Sequence, residues 1–344
     1  MRFHNKMTSI VSRIAAICLG MIVFCSCDSI IYDDEGDCDP HYKVKFRYDM
    51  NMKFSDAFPA EVNAVTLYII DESGNVVWHK SESGEAVKAD GYLMDVDIAP
   101  GTYTLLAWCG EGAGTHFEIP SDATDHTALK ARLQRERHTD GEGKSSILLN
   151  RLYHGTLKAQ VFPNEQGVHI FTVNLIKDTN EVNIVLQHLS GEPVNKDDFT
   201  FTITDYNGYL DHDNNILPDE KITYFAHYKA MGTAGIHVPE VEQNSRYVSS
   251  MSACIAELSI SRLVKGQDCR VTVYNKAGNI VLSIPLIDYA LLVKGSVGRP
   301  LDDQEFLDRQ DKYDLVFFLD EGDRWMNSYI YINSWKVVLQ NSEL

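Results

Sequence analysis

Few residue sets in this chain could do chemistry. Gly110-Glu-Gly-Ala-Gly114 follows a strand pattern and has the glycine content of a phosphate-cradling turn. It lacks the third glycine spacing of a dinucleotide fingerprint, and no crossover helix pattern follows, so it reads as a loop. Asp211-His-Asp-Asn-Asn215 sets oxygens at alternate positions, as calcium loops do, but Ile216 and Ile222 stand where the sharp-turn glycine and the bidentate glutamate belong. A plain turn fits better. His188, Asp197 and many serines are present without a Gly-x-Ser-x-Gly elbow, and the histidines form no His-x-x-x-His pair around a helical Glu. The paired carboxylates at 33–35 fall in a polar tether rather than a cleft. No metal, cofactor or nucleophile set emerges, and the expectation is a protein that is not an enzyme. Trp78, Trp108, Trp325 and Trp335 could stack sugars; core packing is expected for Trp78, Trp108 and Trp335, and exposure for Trp325, which follows Asp320-Glu-Gly-Asp-Arg324.

The cysteines carry a more specific signal. Arg2, Lys6 and Arg13 precede an apolar run from Ile14 to Phe24, with no acid before Cys27. That run is too short to span a bilayer of ~30 Å at ~1.5 Å per residue. A positive start, a short apolar centre and a small residue before a cleavage point read as an export signal. Ser26 before Cys27 resembles a lipobox, in which the Cys thiol is acylated and becomes the new N-terminus, although Phe24 replaces the usual Leu and Cys25 offers a competing site. Stable anchoring needs two or more acyl chains, which this processing supplies. With Cys18 and Cys25 in the leader and Cys27 lipidated, Cys38, Cys109, Cys254 and Cys269 remain. In an oxidising compartment Cys38–Cys109 and Cys254–Cys269 would keep each bridge within one half of the chain; four buried thiols are the other possibility. None of these pairs has zinc-ligand spacing.

The chain has 344 residues, long enough for two domains, and its 44% hydrophobic content can build a core. Its 49 acidic against 31 basic residues give a formal charge of −18, and losing the leader makes it three charges more negative. A field of that sign repels phosphate backbones, so nucleic acid is not an expected partner.

Period-two alternation dominates the body. Tyr42, Val44, Phe46, Tyr48 and Met50 alternate with Lys43, Lys45, Arg47 and Asp49. Similar faces recur at Val65–Ile69, Met94–Ile98, Thr102–Trp108, Leu157–Val161, Val168–Ile176, Val182–Leu186, Val271–Val273 and Tyr313–Leu319. Asp71–Asn75 and Asn275–Asn279 read as hairpin turns. Helices are expected only at 127–137, 286–293 and 302–310, the last capped by Asp302. The chain closes on what reads as one strand from Ser328 to Leu339. One wet and one buried face per strand is the pattern of antiparallel sheets. The expected architecture is all-β: two tandem antiparallel sandwiches. A leader at 1–26 and an acidic tether at 27–40 precede sandwiches at 41–176 and 177–344.

Several of these features converge. They are Cys27-Asp28 with its acidic tether, the opening strand His41–Met50, Ala99-Pro-Gly-Thr-Tyr103 leading into Leu105-Leu-Ala-Trp-Cys-Gly110, the run Leu175–Asn180, and Tyr331-Ile-Asn-Ser-Trp335. In this order they resemble the FimB-like minor fimbrial subunits of type V pili, which include fimbrium-anchoring lipoproteins. The resemblance spans residues 27–344. It implies transthyretin-like Greek-key sandwiches, lipidation at Cys27, residence at the outer membrane, and pilin partners engaged by strand exchange. Between Cys27 and Lys45 there is no Arg, so Arg-specific processing would not free the chain ahead of its first strand, which suits a terminating anchor. Tyr329, Tyr331, Trp335, Val337 and Leu339 then form either a donor strand or the edge that completes the second sandwich. A surface carbohydrate-binding lipoprotein using Trp325 is the other functional class.

Overall fold

Alternation becomes burial in β1 (Pro40–Arg47). Tyr42, Val44 and Phe46 face inward and Lys45 and Arg47 face solvent. A buried aliphatic or aromatic side chain contributes roughly 1.5–3 kcal/mol, so each such face fixes which side of its sheet is inside. The computed structural model of the chain describes residues 39–110, 116–137, 142–234 and 251–337. The contacts below lie within the unit built from residues 42–163 and 169–344.

In the first half β1 is followed by β2 (Ala64–Ile70), β3 (Val76–Ser83), β4 (Met94–Val96), β5 (Gly101–Gly110), β6 (Phe117–Glu118), β7 (Ala131–Leu133), β8 (Glu136–Arg137), β9 (Gly143–Ser145), β10 (Leu152–Phe162), β11 (Gly167–Asn174) and β12 (Ile176–Lys177). A three-stranded sheet, β11-β1-β4, faces a five-stranded sheet, β12-β10-β5-β2-β3. Between them sits an aromatic-rich core that includes Tyr42, Phe46, Tyr48, Leu67, Ile69, Tyr153 and Phe162.

The second half adds β13 (Thr179–His188), β14 (Phe199–Asp205), β15 (Tyr209–Leu210), β16 (Ile222–Phe225), β17 (Tyr228–Ala234), β18 (Met251–Ser261), β19 (Arg270–Asn275), β20 (Ile280–Pro285), β21 (Lys312–Leu319), β22 (Trp325–Ile332) and β23 (Trp335–Val337). Two six-stranded sheets, β17-β18-β13-β21-β22-β23 and β20-β19-β14-β16-β9-β8, enclose the larger core. The fold is thus all-β, with two sandwiches and few helices. Two ladders, β13–β21 and β9–β16, run parallel where antiparallel pairing was expected throughout. Residues of the first half also complete the second sandwich. Strands β8 and β9 enter its sheet, and Tyr68, Leu106 and Trp108 present the far face of β2 and β5 to its core.

Helices form at Leu286–Leu292 and Asp303–Arg309, and the Asp302 carboxylate caps the second by accepting from Glu305 N at 2.7 Å. The helix expected at 127–137 is instead a 3₁₀ turn at His126–Ala128 followed by β7 and β8. Arg132 and Arg135 explain the outcome. Their guanidiniums hold Asp219, and Arg135 also holds Glu220 at 2.8 Å, which fastens this segment beside β16. Tertiary ion pairing overrides a weak local helical pattern here.

One local device recurs four times, at 71–75, 211–215, 275–279 and 320–324. The first residue's side-chain oxygen accepts from the amides two and four positions on. The fourth residue sits at positive φ: Gly74 at 89°, Asn214 at 64°, Gly278 at 79° and Asp323 at 57°. Both features are those of short turns whose αL position favours Gly, Asn or Asp. The 211–215 loop is therefore such a turn, its Asp211 carboxylate spent on its own backbone.

Candidate subunit-docking edges

Where one C-terminal strand was expected from 328 to 339, the described residues through Val337 form a hairpin. Asn333 and Ser334 both take positive φ, 48° and 70°, which is the geometry of a two-residue turn matched to strand twist. Asn333 clasps β21 twice, donating its backbone N–H to Asp314 O at 2.9 Å and accepting from Asp314 N at 2.9 Å. Strand β23 then folds back on β22, pairing Val337 with Ile330, Lys336 with Tyr331 and Trp335 with Ile332. Ile330 and Ile332 are fully buried in the larger core, and Tyr331 is half-buried with its ring 6.1 Å from Phe318. The chain up to Val337 completes its own sheet.

The named site residues are therefore divided. Tyr329 and Tyr331 lie in β22, and Trp335 and Val337 in β23. Cys27, Cys38 and Leu339 lie outside the described residues. Trp335, expected in the core, is 55% exposed, because the turn places it on the outermost strand. Trp325, expected on the surface, packs against the larger core; its ring lies 6.1 Å from Phe317. Trp108 is buried as expected. Cys109, Cys254 and Cys269 are buried thiols whose pKa values burial pushes up, so they are poor nucleophiles. Cys254 and Cys269 are not bridged; they belong to opposite sheets, Cys254 within β18 and Cys269 just ahead of β19.

The opposite edge of the same sheet was not anticipated. Strand β17 pairs with β18 through seven residues, Tyr228 to Ala234, and no described strand pairs with its outer side. Tyr228 and Met231 are 53% and 51% exposed. Lys229 turns inward, donating to the carbonyls of Lys196 and Phe199 at 2.9 and 3.1 Å. Tyr228 and Met231 are both exposed although an odd spacing puts them on opposite faces of β17, Met231 on the side of Lys229 and across from buried Cys254, so the segment shows no clean alternation; the two large apolar side chains were the available signal. An unpaired ladder flanked by apolar side chains accepts an added strand. Among the described residues no cluster of His, Cys, Asp and Glu could hold a metal, and no helix is long and apolar enough to cross a membrane.

In the other sandwich β1 occupies the middle of its sheet, with Val44 and Phe46 in the core. Arg47 ends that strand, paired with Asp49 at 2.8 Å, and its carbonyl accepts from Leu175 N. Cleavage there would remove β1 rather than spare it.

Known proteins share this arrangement. A family model described as fimbrillin-A associated anchor proteins Mfa1 and Mfa2 matches residues 34–341. The minor fimbrium anchoring subunit Mfa2 of Porphyromonas gingivalis is 23% identical over 239 residues, which is 67% of this chain and 70% of that protein. A crystal structure of a candidate adhesin from Bacteroides thetaiotaomicron is 30% identical, with a TM-score of 0.76 over 89% of this chain and 100% of that one. The crystal structure of the P. gingivalis fimbrial anchor Mfa2 shares the fold at 17% identity, with a TM-score of 0.64 over 88% and 100% of the two chains. The two-sandwich architecture and the extent of the family match together show that this chain belongs to the family of fimbrillin-A associated anchor proteins Mfa1 and Mfa2.

Proposed function

We propose that this fimbrial anchor subunit is held at the outer membrane by acyl chains on Cys27 and captures a pilin by strand addition at the β17 edge. The observation that carries the docking half is the seven-residue ladder of β17, which no described strand pairs on its outer side and which carries exposed Tyr228 and Met231. Main-chain hydrogen bonds supply affinity in this mode, and alternate side chains supply register. The two other routes are less available. The groove that loss of β1 would open is filled by β1 itself, and the C-terminal residues through Val337 are spent on β22 and β23. A chain that keeps its first strand and its lipid ends a polymer rather than extending it. We also propose that the passage from β12 to β13, at Lys177–Asn180, divides the sandwiches, and that Cys109 is the partner of Cys38, which keeps that bridge within the first half of the chain.

Two variants test the halves separately. Cys27→Ala should shed the protein from cells into the medium; continued retention in the membrane would refute lipid anchoring. Met231→Lys should weaken capture of stalk pilin in a pull-down at least tenfold with unfolding temperature unchanged. Undiminished capture would refute docking at β17.

A further inference from the structure

Four elements meet around a carboxyl group that is wholly buried. Asp178 lies in the crossover from β12 to β13, with 0% exposure, and donates its N–H to Leu152 O at 2.7 Å. Its Oδ1 accepts from the Asn214 side-chain amide at 2.8 Å. Asn214 is the positive-φ residue of the 211–215 turn, and its carbonyl accepts from Arg262, just past β18, at 2.7 Å. Arg262 in turn forks onto Asp308 of the helix Asp303–Arg309 with two bonds of 2.9 Å.

The charges do not balance. One guanidinium serves two carboxylates, and Asp308 holds it bidentately, leaving Asp178 Oδ1 3.8 Å from Arg262 Nε. No other charge reaches Asp178 to compensate. Asp211 is spent on its own turn, Asp213 pairs with Lys158 at 2.8 Å, and Lys177 pairs with Asp311 at 2.8 Å. His154 on β10 is pulled down to about 4 by burial and is neutral. The hydrogen-bond inventory has a matching gap. Asp178 Oδ2 and Asn214 Oδ1 are both buried acceptors without a partner. Two orphan acceptors on one acid–amide pair, already joined through the other two atoms, lack a single hydrogen.

We propose that Asp178 is a protonated carboxylic acid in the folded protein below neutral pH, its Oδ2–H closing a two-bond ring with Asn214 Oδ1, so that the crossover and the 211–215 turn are latched by a proton. That hydrogen removes both orphan acceptors and the excess charge together. The proton belongs on Asp178 rather than Asp308, because both oxygens of Asp308 already accept from Arg262, and Oδ1 also from Gln304 at 2.9 Å. Burial is also the main force raising the Asp178 pKa, to about 7. The folded value lies above the ordinary aspartate value of 3.8, so the latch's contribution is full below that ordinary range and is lost as pH rises through about 7.

The test compares wild-type full chain with Asp178→Asn, a neutral isostere that can make both ring bonds at every pH. Thermal unfolding followed from pH 5 to 8 should show the wild type losing unfolding temperature relative to the variant as pH rises. A constant difference between the two across that range would overturn the latch. If the variant does not fold, carbon-13 NMR of aspartate-labelled wild type gives the answer directly. The Asp178 carboxyl resonance should titrate near neutrality, and a carboxyl already ionised at pH 5 would overturn it.

Discussion

The two edges of the six-stranded sheet β17-β18-β13-β21-β22-β23 are built on opposite plans. At one end β23 is three residues long, pinned by a two-residue turn that Asn333 ties to β21. At the other, β17 runs for seven residues with Tyr228 and Met231 turned to solvent. A short, pinned edge is a device against further pairing, whereas a long apolar one invites it. The difference teaches that the C-terminal hairpin, through Val337, serves the fold, and it is why the proposed docking is placed at an internal strand.

The largest expected effect breaks the comparison inside the C-terminal hairpin itself. Ile332→Ala should cost about 2–5 kcal/mol in denaturant unfolding, since Ile332 is fully buried in the larger core. Loss of that size would confirm that the hairpin belongs to the sandwich. Next comes the pH dependence of Asp178, a buried group. A pKa raised from 3.8 to about 7 corresponds to at most about 4 kcal/mol of stability lost between acid and mildly basic pH. Asp178→Asn should flatten that slope, read by calorimetry. Met231→Lys should follow, lowering pilin capture by the order of tenfold, or about 1.4 kcal/mol, without moving the unfolding midpoint. Asp320→Ala removes the acceptor for the amides of Gly322 and Arg324 and should lower the urea midpoint slightly. Smallest of all, Trp335→Ala should change stability by no more than about 0.5 kcal/mol, because the side chain is half in water. A Trp335 effect as large as that of Ile332 would erase the distinction between the two sides of the hairpin.

Much of the fold was legible because alternation reports burial directly. The face of Tyr42, Val44 and Phe46 and that of Tyr313, Leu315 and Phe317 are buried where period two puts them. The turns at 71–75 and 275–279 were legible because a side-chain acceptor and a Gly at the αL position are local chemistry. What failed depended on distant partners. Residues 131–137 became strand because Asp219 and Glu220 hold Arg132 and Arg135 from more than eighty positions away. The Asn333–Ser334 turn was missed since Ser is an uncommon αL residue, and the alternation on either side of it reads as continuous. Trp335 was misplaced for the same reason, as one unseen turn moved it to the edge. Strand β17 escaped notice because Tyr228 and Met231, its large apolar side chains, lie on opposite faces and so show no period-two face.

Hydrogen exchange of the full chain, alone and mixed with stalk pilin, tests docking at β17 most directly. Alternate amides between Tyr228 and Ala234 should gain protection when pilin is present, while those of Trp335–Val337 remain as they were. Protection appearing at Trp335–Val337 with β17 unchanged would contradict the account.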